Sequence, residues 1–210
     1  MASLPILAPS ASRPSSTPAG RLARYSLRVS VLEQCPYHCA YCAPGSVTAP
    51  TDKARWLDAS AYARLARLFR KKGVTKVRIT GGEPLIRKDV VDIVAAWKEA
   101  MPDVDLALTT NGQRLAGAVD DLARAGLRRV TVHLDTLRDD RYGALMGDAS
   151  PRAILDAAAQ ARARLAEVKL NVVVQRGKND DEIADFLALS LRTGFEVRFI
   201  ELMSTGSADD

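Results

Sequence analysis

Residues 74–100, VTKVRITGGEPLIRKDVVDIVAAWKEA, contain a strand and a helix in direct succession. In the first half, the apolar side chains of Val77 and Ile79 alternate with the polar side chains of Arg78 and Thr80. This period of two is typical of a strand that buries one face, whereas the second half has the apolar spacing of a helix. A Met-Pro pair follows and ends the helix, since proline cannot continue one. The stretch therefore predicts one strand–helix unit.

The same unit recurs along the chain, which indicates an α/β fold. We expect strands at residues 25–31, 74–80, 104–109, 128–135, 168–175 and 195–201. We expect helices at residues 58–72, 88–100, 113–125, 151–166 and 180–193. Asp58 and Ser150 are suited to begin two of these helices, and Asn179 with Glu182 has the pattern of a capping box. Strands and helices that alternate in this way predict a sheet of parallel strands.

The polar faces of the strands indicate a barrel rather than a flat open sheet. Parallel strands that are covered on both faces have continuous apolar sequences, but in these strands apolar and polar residues alternate. We expect a partial (β/α)6 barrel with a polar interior, into which Arg28, Arg78 and Lys169 project. A buried cation needs a counterion, so these side chains predict an anionic ligand. Pairing with Asp105 and Asp135 across the barrel is the alternative.

All three cysteines, Cys35, Cys39 and Cys42, lie within eight residues of the loop after the first strand. An odd number at this spacing favours a metal site over a disulfide framework and indicates a reducing compartment, which predicts a cytoplasmic protein. Three kinds of site are compatible with the spacing. They are a zinc ion with His38 as fourth ligand, a Cys39–Cys42 redox pair, and an iron–sulfur cluster with one open iron.

Further motifs follow the other strands at the end of the barrel where active sites lie. They are RITGGEPLIRKD (78–89), TTNG (109–112), VHLDTL (132–137), VKLNVVVQRGKND (168–180) and RFIELM (198–203). With the Cys-x-x-x-Cys-x-x-Cys loop, they resemble in order and spacing the GTP 3′,8-cyclase family of radical S-adenosylmethionine (SAM) enzymes, also called molybdenum cofactor biosynthesis protein A. The resemblance covers about residues 24 to 206.

This resemblance implies an activity and two cofactors. The family converts GTP to (8S)-3′,8-cyclo-7,8-dihydroguanosine 5′-triphosphate in the first step of molybdenum cofactor biosynthesis. It implies one [4Fe-4S] cluster on Cys35, Cys39 and Cys42, with SAM bound to the open iron. It implies contacts to SAM from Tyr41, Gly82, Glu83, His133 and Met203. It implies contacts to GTP from Arg28, Arg78, Thr109 and Lys169. His133 stands where the family usually has serine, so a merely packed histidine is the alternative to a SAM contact.

The domain boundaries follow from composition and from the extent of the resemblance. Residues 1–20, of which 15 are Ser, Thr, Pro, Ala or Gly, predict a disordered leader, with organellar targeting as the alternative. Residues 21–206 are expected to form a partial radical SAM barrel, and residues 207–210 a short tail. The family continues with a sixth helix and a C-terminal domain that binds a second cluster, so we expect SAM cleavage but little cyclised product.

The expected partners are GTP and an electron-donor protein, with a homodimer as a further possibility. Neither nucleic acid nor a membrane is expected, because the basic residues are dispersed, aromatic residues are only 5%, and no apolar run is long enough to span a bilayer. The alternatives to the cyclase are a radical SAM enzyme with another substrate, and a truncated, non-catalytic fragment that binds SAM or GTP.

Overall fold

The structure, a computed structural model, describes residues 25–39, 41–42 and 56–203. The predicted leader (1–20) and tail (207–210) lie outside the described residues. Six strands form one sheet; β1 to β6 are Tyr25–Ser30, Val74–Thr80, Asp105–Thr110, Arg129–His133, Glu167–Val174 and Glu196–Glu201. Six α-helices lie between them; α1 to α6 are Ala59–Lys71, Val90–Ala100, Leu115–Arg124, Asp139–Leu145, Pro151–Arg162 and Ile183–Thr193. The described residues also form two short 3-10 helices, Pro84–Ile86 and Asp180–Glu182.

The strands are all parallel and lie in the sheet in sequence order, from β1 to β6. Among the described residues β1 and β6 do not pair with each other, so the sheet is open between its edge strands. The predicted partial barrel of six parallel strands is therefore confirmed. Because every strand runs the same way, the loops that follow the strands meet at one end of the barrel.

The core lies between the outer face of the sheet and the helices. The strands contribute Val77, Ile79, Leu106, Leu108, Val130, Val132, Leu170 and Val172, which are all buried. The helices contribute larger side chains, of which Trp97, Leu115 and Ile154 are nearly inaccessible to solvent. Each fully buried side chain of this kind stabilises the fold by about 1.5–3 kcal/mol. The alternation in the sequence thus sends apolar residues outward to the helices and polar residues inward.

Helix starts that depend on local hydrogen bonds were predicted correctly. Asp58 Oδ1 accepts from the amide of Ala61 at 2.7 Å, and Ser150 Oγ accepts from the amide of Ala153 at 3.2 Å. The capping box at Asn179 was wrong. Asn179 Oδ1 accepts from the amide of Gln175 instead, at 2.7 Å, so a local hydrogen bond in the preceding loop occupies the group that would have capped the helix.

Helix α4 was not predicted. Its seven residues, DDRYGAL, include Gly143 and only two buried side chains, Tyr142 and Leu145. So short a segment has little apolar periodicity, and glycine lowers its helix propensity. No helix in the described part of the chain is long and apolar enough to cross a membrane.

Candidate functional site

The segment after β1 that contains Cys35, Cys39 and Cys42 is called the cysteine loop here. Its start is joined to the loop after β2 by two backbone hydrogen bonds. The amide of Gly82 donates to the carbonyl oxygen of Leu32, and the amide of Glu83 donates to that of Gln34, both at 2.8 Å. A Cβ atom at position 82 would lie 2.1 Å from the Gln34 oxygen. Only glycine allows the two backbones to approach this closely.

Arg87 anchors both ends of the connection between β1 and α1. Its guanidinium donates to the carbonyl oxygen of Val31 at 2.8 Å and to that of Leu57 at 2.5 Å, and it forms an ion pair with Asp89 at 2.7 Å. The Arg87 residue is buried, and its guanidinium lies over the Trp56 ring. Sequence reasoning missed this role, because the two carbonyls lie 56 and 30 residues away from Arg87.

The three thiols line one cavity of about 330 Å³ at the mouth of the barrel. Its lining consists of Ser30, Leu32, Glu33, Cys35, Tyr37, Cys39, Cys42, Gly81 and Gly82. The predicted neighbours Cys35, Cys39, Cys42 and Gly82 are thus brought together. Burial raises the pKa of Cys35, and it raises the pKa of Cys39 to about 12. Thiolates at these positions therefore require a nearby positive charge, such as iron, to compensate for burial.

The described residues do not support the zinc alternative. Cys35, His38, Cys39 and Cys42 all lie in the described part, in which no group of three His, Cys, Asp or Glu side chains could hold a single metal ion. All three cysteines are free rather than disulfide-bonded. An iron–sulfur cluster does not need thiolates that converge on one point, because each thiolate binds a different iron. The three thiols around one cavity fit such a cluster.

Glu83 connects the ends of β2 and β3. Its Oε1 accepts from the amide of Leu85 at 2.8 Å and from Thr110 Oγ1 at 2.7 Å, and its Oε2 accepts from the amide of Asn111 at 2.7 Å. The side chain is buried, and burial raises its pKa. Three donors leave a carboxylate with one further acceptor position, so the contact of Glu83 with SAM stays a prediction.

Tyr41, His133 and Asp135 form a polar cluster beside the cavity. The Tyr41 hydroxyl donates to Asp135 Oδ2 at 2.7 Å and also contacts His133 Nε2. His133 Nε2 lies 3.0 Å from the same carboxylate oxygen. Burial, followed by the charge of Asp135, raises the pKa of Tyr41, so the phenol stays protonated and can donate. His133 is therefore a member of a hydrogen-bonded cluster, and its contact with SAM stays a prediction.

Lys169 was predicted to be an interior cation without a partner in the protein, and the structure shows that it has such partners. Its ammonium forms ion pairs with Glu167 at 2.9 Å and with Glu196 at 2.7 Å. The alternative was wrong about the partners, which are these two glutamates rather than Asp105 and Asp135. The carboxylates belong to the same strand and to the neighbouring strand β6, and they were not recognised as interior residues from the sequence.

Arg28 and Arg78 differ from Lys169, because the described residues provide no ion pair for either. They lie opposite each other on β1 and β2. Burial, and then the charge of Arg28, lowers the pKa of Arg78. Two polar atoms on other strands, Thr109 Oγ1 on β3 and Asn171 Oδ1 on β5, are buried without a hydrogen-bond partner in the described part. Sequence reasoning selected Thr109 as a site residue but not Asn171. The alternation of Asn171 with the apolar Val172 was the signal that could have identified it as an inward-facing residue.

Met203 lies two residues beyond the end of β6 and is 70% exposed. It does not belong to the residues that line the cavity of the three thiols. Its contact with the adenosyl group of SAM therefore stays a prediction.

Comparison with known proteins adds family relationships to this geometry. The chain is 44% identical over 184 residues to the GTP 3′,8-cyclase of Heliobacterium modesticaldum, covering 87% of this chain and 56% of that protein. It is 41% identical to molybdenum cofactor biosynthesis protein 1 of Bos taurus, covering 84% of this chain and 28% of that protein. The chain thus spans little more than half, or less, of these relatives.

Solved structures share the fold at low sequence identity. SuiB of Streptococcus suis bound to S-adenosylmethionine has a TM-score of 0.73 and 20% identity, with 87% of this chain and 41% of that chain covered. The protein anSMEcpe with bound AdoMet has a TM-score of 0.67 and 14% identity, with 87% and 52% covered.

The sequence model of the Radical SAM superfamily matches residues 29–190, from the end of β1 to α6. The matched region contains the three thiols, the glycine that lets two strand-end loops meet, and four complete parallel strands of the open barrel, β2 to β5. This chain belongs to the radical SAM superfamily.

Proposed function

We propose that this chain forms the radical SAM part of a GTP 3′,8-cyclase. The observation that carries the proposal is its 40–44% identity, over 87% of the chain, to proteins of that name. The reaction would convert GTP to (8S)-3′,8-cyclo-7,8-dihydroguanosine 5′-triphosphate. We place it in the cytoplasm, in keeping with three free cysteines.

The superfamily binds a [4Fe-4S] cluster and SAM, which together supply a one-electron cleavage of SAM that starts radical chemistry on the substrate. In this chain Cys35, Cys39 and Cys42 would hold three irons of the cluster. The cleavage consumes one electron, so an electron-donor protein belongs to the proposal. The side chains around the cavity, including Tyr37, would exclude water from the reacting groups.

The loops around the cavity would orient SAM. The backbones of Tyr41 and Gly82 are proposed to contact it, since no side chain at position 82 screens the peptide group. Glu83 has one acceptor position left for the amine of SAM. His133 and Met203 are proposed to contact the nucleoside part.

The barrel interior would bind GTP through groups that lack protein partners. A guanidinium is suited to phosphate oxygens, so Arg28 and Arg78 are proposed to meet the triphosphate. Thr109 Oγ1 and Asn171 Oδ1 are buried without a partner in the described residues and are proposed to bind the nucleoside. Lys169 already donates to two carboxylates and has one N–H left for the substrate.

The test is the formation of 5′-deoxyadenosine by the anaerobically reconstituted chain, with GTP, with ATP and without nucleotide. We expect GTP to raise the rate above both controls, and deuterium at C3′ of GTP to appear in the deoxyadenosine. Arg78→Ala should abolish the GTP effect, whereas Arg152→Ala, which changes an exposed arginine on α5, should retain it. A rate that does not depend on the nucleotide would favour another substrate. Binding of GTP without any cleavage of SAM would favour a non-catalytic fragment.

A further inference from the structure

The end of the cysteine loop is fixed to the barrel through Asp135. Cys39 and Cys42 enclose a tight turn in which the amide of Cys42 donates to the carbonyl oxygen of Cys39 at 2.9 Å. Tyr41 lies inside this turn, and its hydroxyl donates to Asp135 Oδ2 at 2.7 Å. A constraint on the Tyr41 side chain is therefore a constraint on two of the three thiols.

Asp135 is held in place by groups that do not belong to the cysteine loop. The backbone of β4 leaves the sheet after Leu134, and Asp135 Oδ1 accepts from the amide of Val173 on β5 at 2.7 Å. The backbone oxygen of Asp135 accepts from Asn179 Nδ2, also at 2.7 Å. Its side chain is inaccessible to solvent. The carboxylate thus has one oxygen for the barrel and one for the cysteine loop.

We propose that Asp135 is a positioning residue for the cluster. It acts through Tyr41, which it holds so that Cys39 and Cys42 face the cavity at a fixed separation. His133 contacts both the Tyr41 hydroxyl and Asp135 Oδ2. The inference rests on the proposed function in one respect, because it takes the three cysteines as cluster ligands.

Loss of a group that orients metal ligands commonly lowers metal affinity by about 10–100-fold, and because Tyr41 is not itself a ligand we expect the lower end of this range. The hydrogen bond between Tyr41 and Asp135 is charge-assisted and buried, which makes it stronger than an exposed bond between neutral groups. Its loss should release the turn at Cys39–Cys42 while leaving the bond between Asp135 and Val173, and hence the barrel, in place.

The experiment compares Tyr41→Phe with Tyr142→Phe. The first variant removes the hydroxyl that binds Asp135. The second removes the hydroxyl that lies 3.0 Å from that of Tyr37, so it also breaks a buried phenol contact between the cysteine loop and the barrel, but on the side of α4. Each chain is reconstituted anaerobically with ferrous iron and sulfide. The readouts are the rate of iron loss to EDTA and the change in the electron paramagnetic resonance spectrum when SAM is added.

We expect Tyr41→Phe to lose iron about tenfold faster than the native chain and to need about tenfold more SAM for the spectral change. Tyr142→Phe should stay within about twofold of the native chain in both readouts, even if its melting temperature falls as much as that of Tyr41→Phe. Equal iron retention and SAM response in Tyr41→Phe and the native chain would overturn this inference alone. Failure of the native chain to take up iron would overturn the proposed function as well.

Asp135→Asn provides a second test, because its amide oxygen can replace only one of the two acceptor oxygens. We expect iron loss that is faster than in the native chain. Iron loss at the native rate from a folded Asp135→Asn chain would overturn the inference.

Discussion

Gly82→Ala tests the contact between the cysteine loop and the loop after β2. An added Cβ would lie 2.1 Å from the carbonyl oxygen of Gln34, whereas Cβ atoms essentially never come within 3.0 Å of such an atom. The two backbones must therefore separate by about 0.9 Å, the difference between these distances. Both 2.8 Å hydrogen bonds, from Gly82 to Leu32 and from Glu83 to Gln34, are stretched by this movement.

The expected loss follows from these two bonds. A typical backbone hydrogen bond contributes about 0.5–1.5 kcal/mol, so the free energy of unfolding should fall by about 1–3 kcal/mol. In a chain of this size, each kcal/mol lowers the melting temperature by about 2–4 °C. Because Cys35 directly follows Gln34, the variant should also bind less iron on reconstitution. Thermal unfolding and iron content are the two measurements.

Gly117→Ala is the matched control, since nothing lies within 4 Å of a Cβ at that position on α3. It should stabilise the chain by roughly 0.5–1 kcal/mol, because alanine is the better helix former, and leave iron binding unchanged. The reasoning would be refuted if Gly82→Ala matched the native chain in both stability and iron content.

Three further substitutions test other parts of the site. Arg87→Met should lower the free energy of unfolding by about 2–3 kcal/mol, because two backbone oxygens and Asp89 lose a charged donor; a urea midpoint equal to the native one would contradict this. Glu83→Gln tests the raised pKa of that carboxyl. As the pH rises from 4.5, the ordinary pKa of the carboxyl, through its raised pKa in the folded chain, the native chain should lose stability relative to the variant. A difference in urea midpoint that is constant with pH would contradict this. Thr109→Val should raise stability by about 1 kcal/mol, since it removes a buried hydroxyl without a partner in the described residues, and should weaken GTP binding; unchanged GTP affinity would argue against the proposed role of Thr109.

The repeated strand–helix pattern was enough to predict the sheet. Strand alternation depends on which face is buried, and that is a property of each short segment, so the expected strands lie within two residues of the observed ones. The largest shift is at the end of β4, which was expected to reach Asp135 but ends at His133. There the side chain of Asp135, rather than the backbone, continues the hydrogen bonding to β5.

The three cysteines, from their spacing, and Gly82, from the family resemblance, were expected to lie together, and they line one cavity; their roles stay predictions. The site was not predictable where distant segments meet. Three contacts of this kind are the ion pair of Lys169 with Glu196, the hydrogen bonds of Arg87 to two carbonyls, and the hydrogen bond between Tyr41 and Asp135. Helix α4 was missed because it is stabilised by packing, with Tyr142 buried against the cysteine loop, rather than by its own propensity.

In the proposed function, three thiolates hold a cluster whose remaining iron binds SAM. The most direct test of this arrangement is electron paramagnetic resonance of the reduced, anaerobically reconstituted chain, with iron counted on the same sample. One [4Fe-4S] cluster per chain, with a spectrum that changes when SAM is added, is the predicted result. A chain that binds no iron, or a cluster whose spectrum is the same with and without SAM, would contradict it.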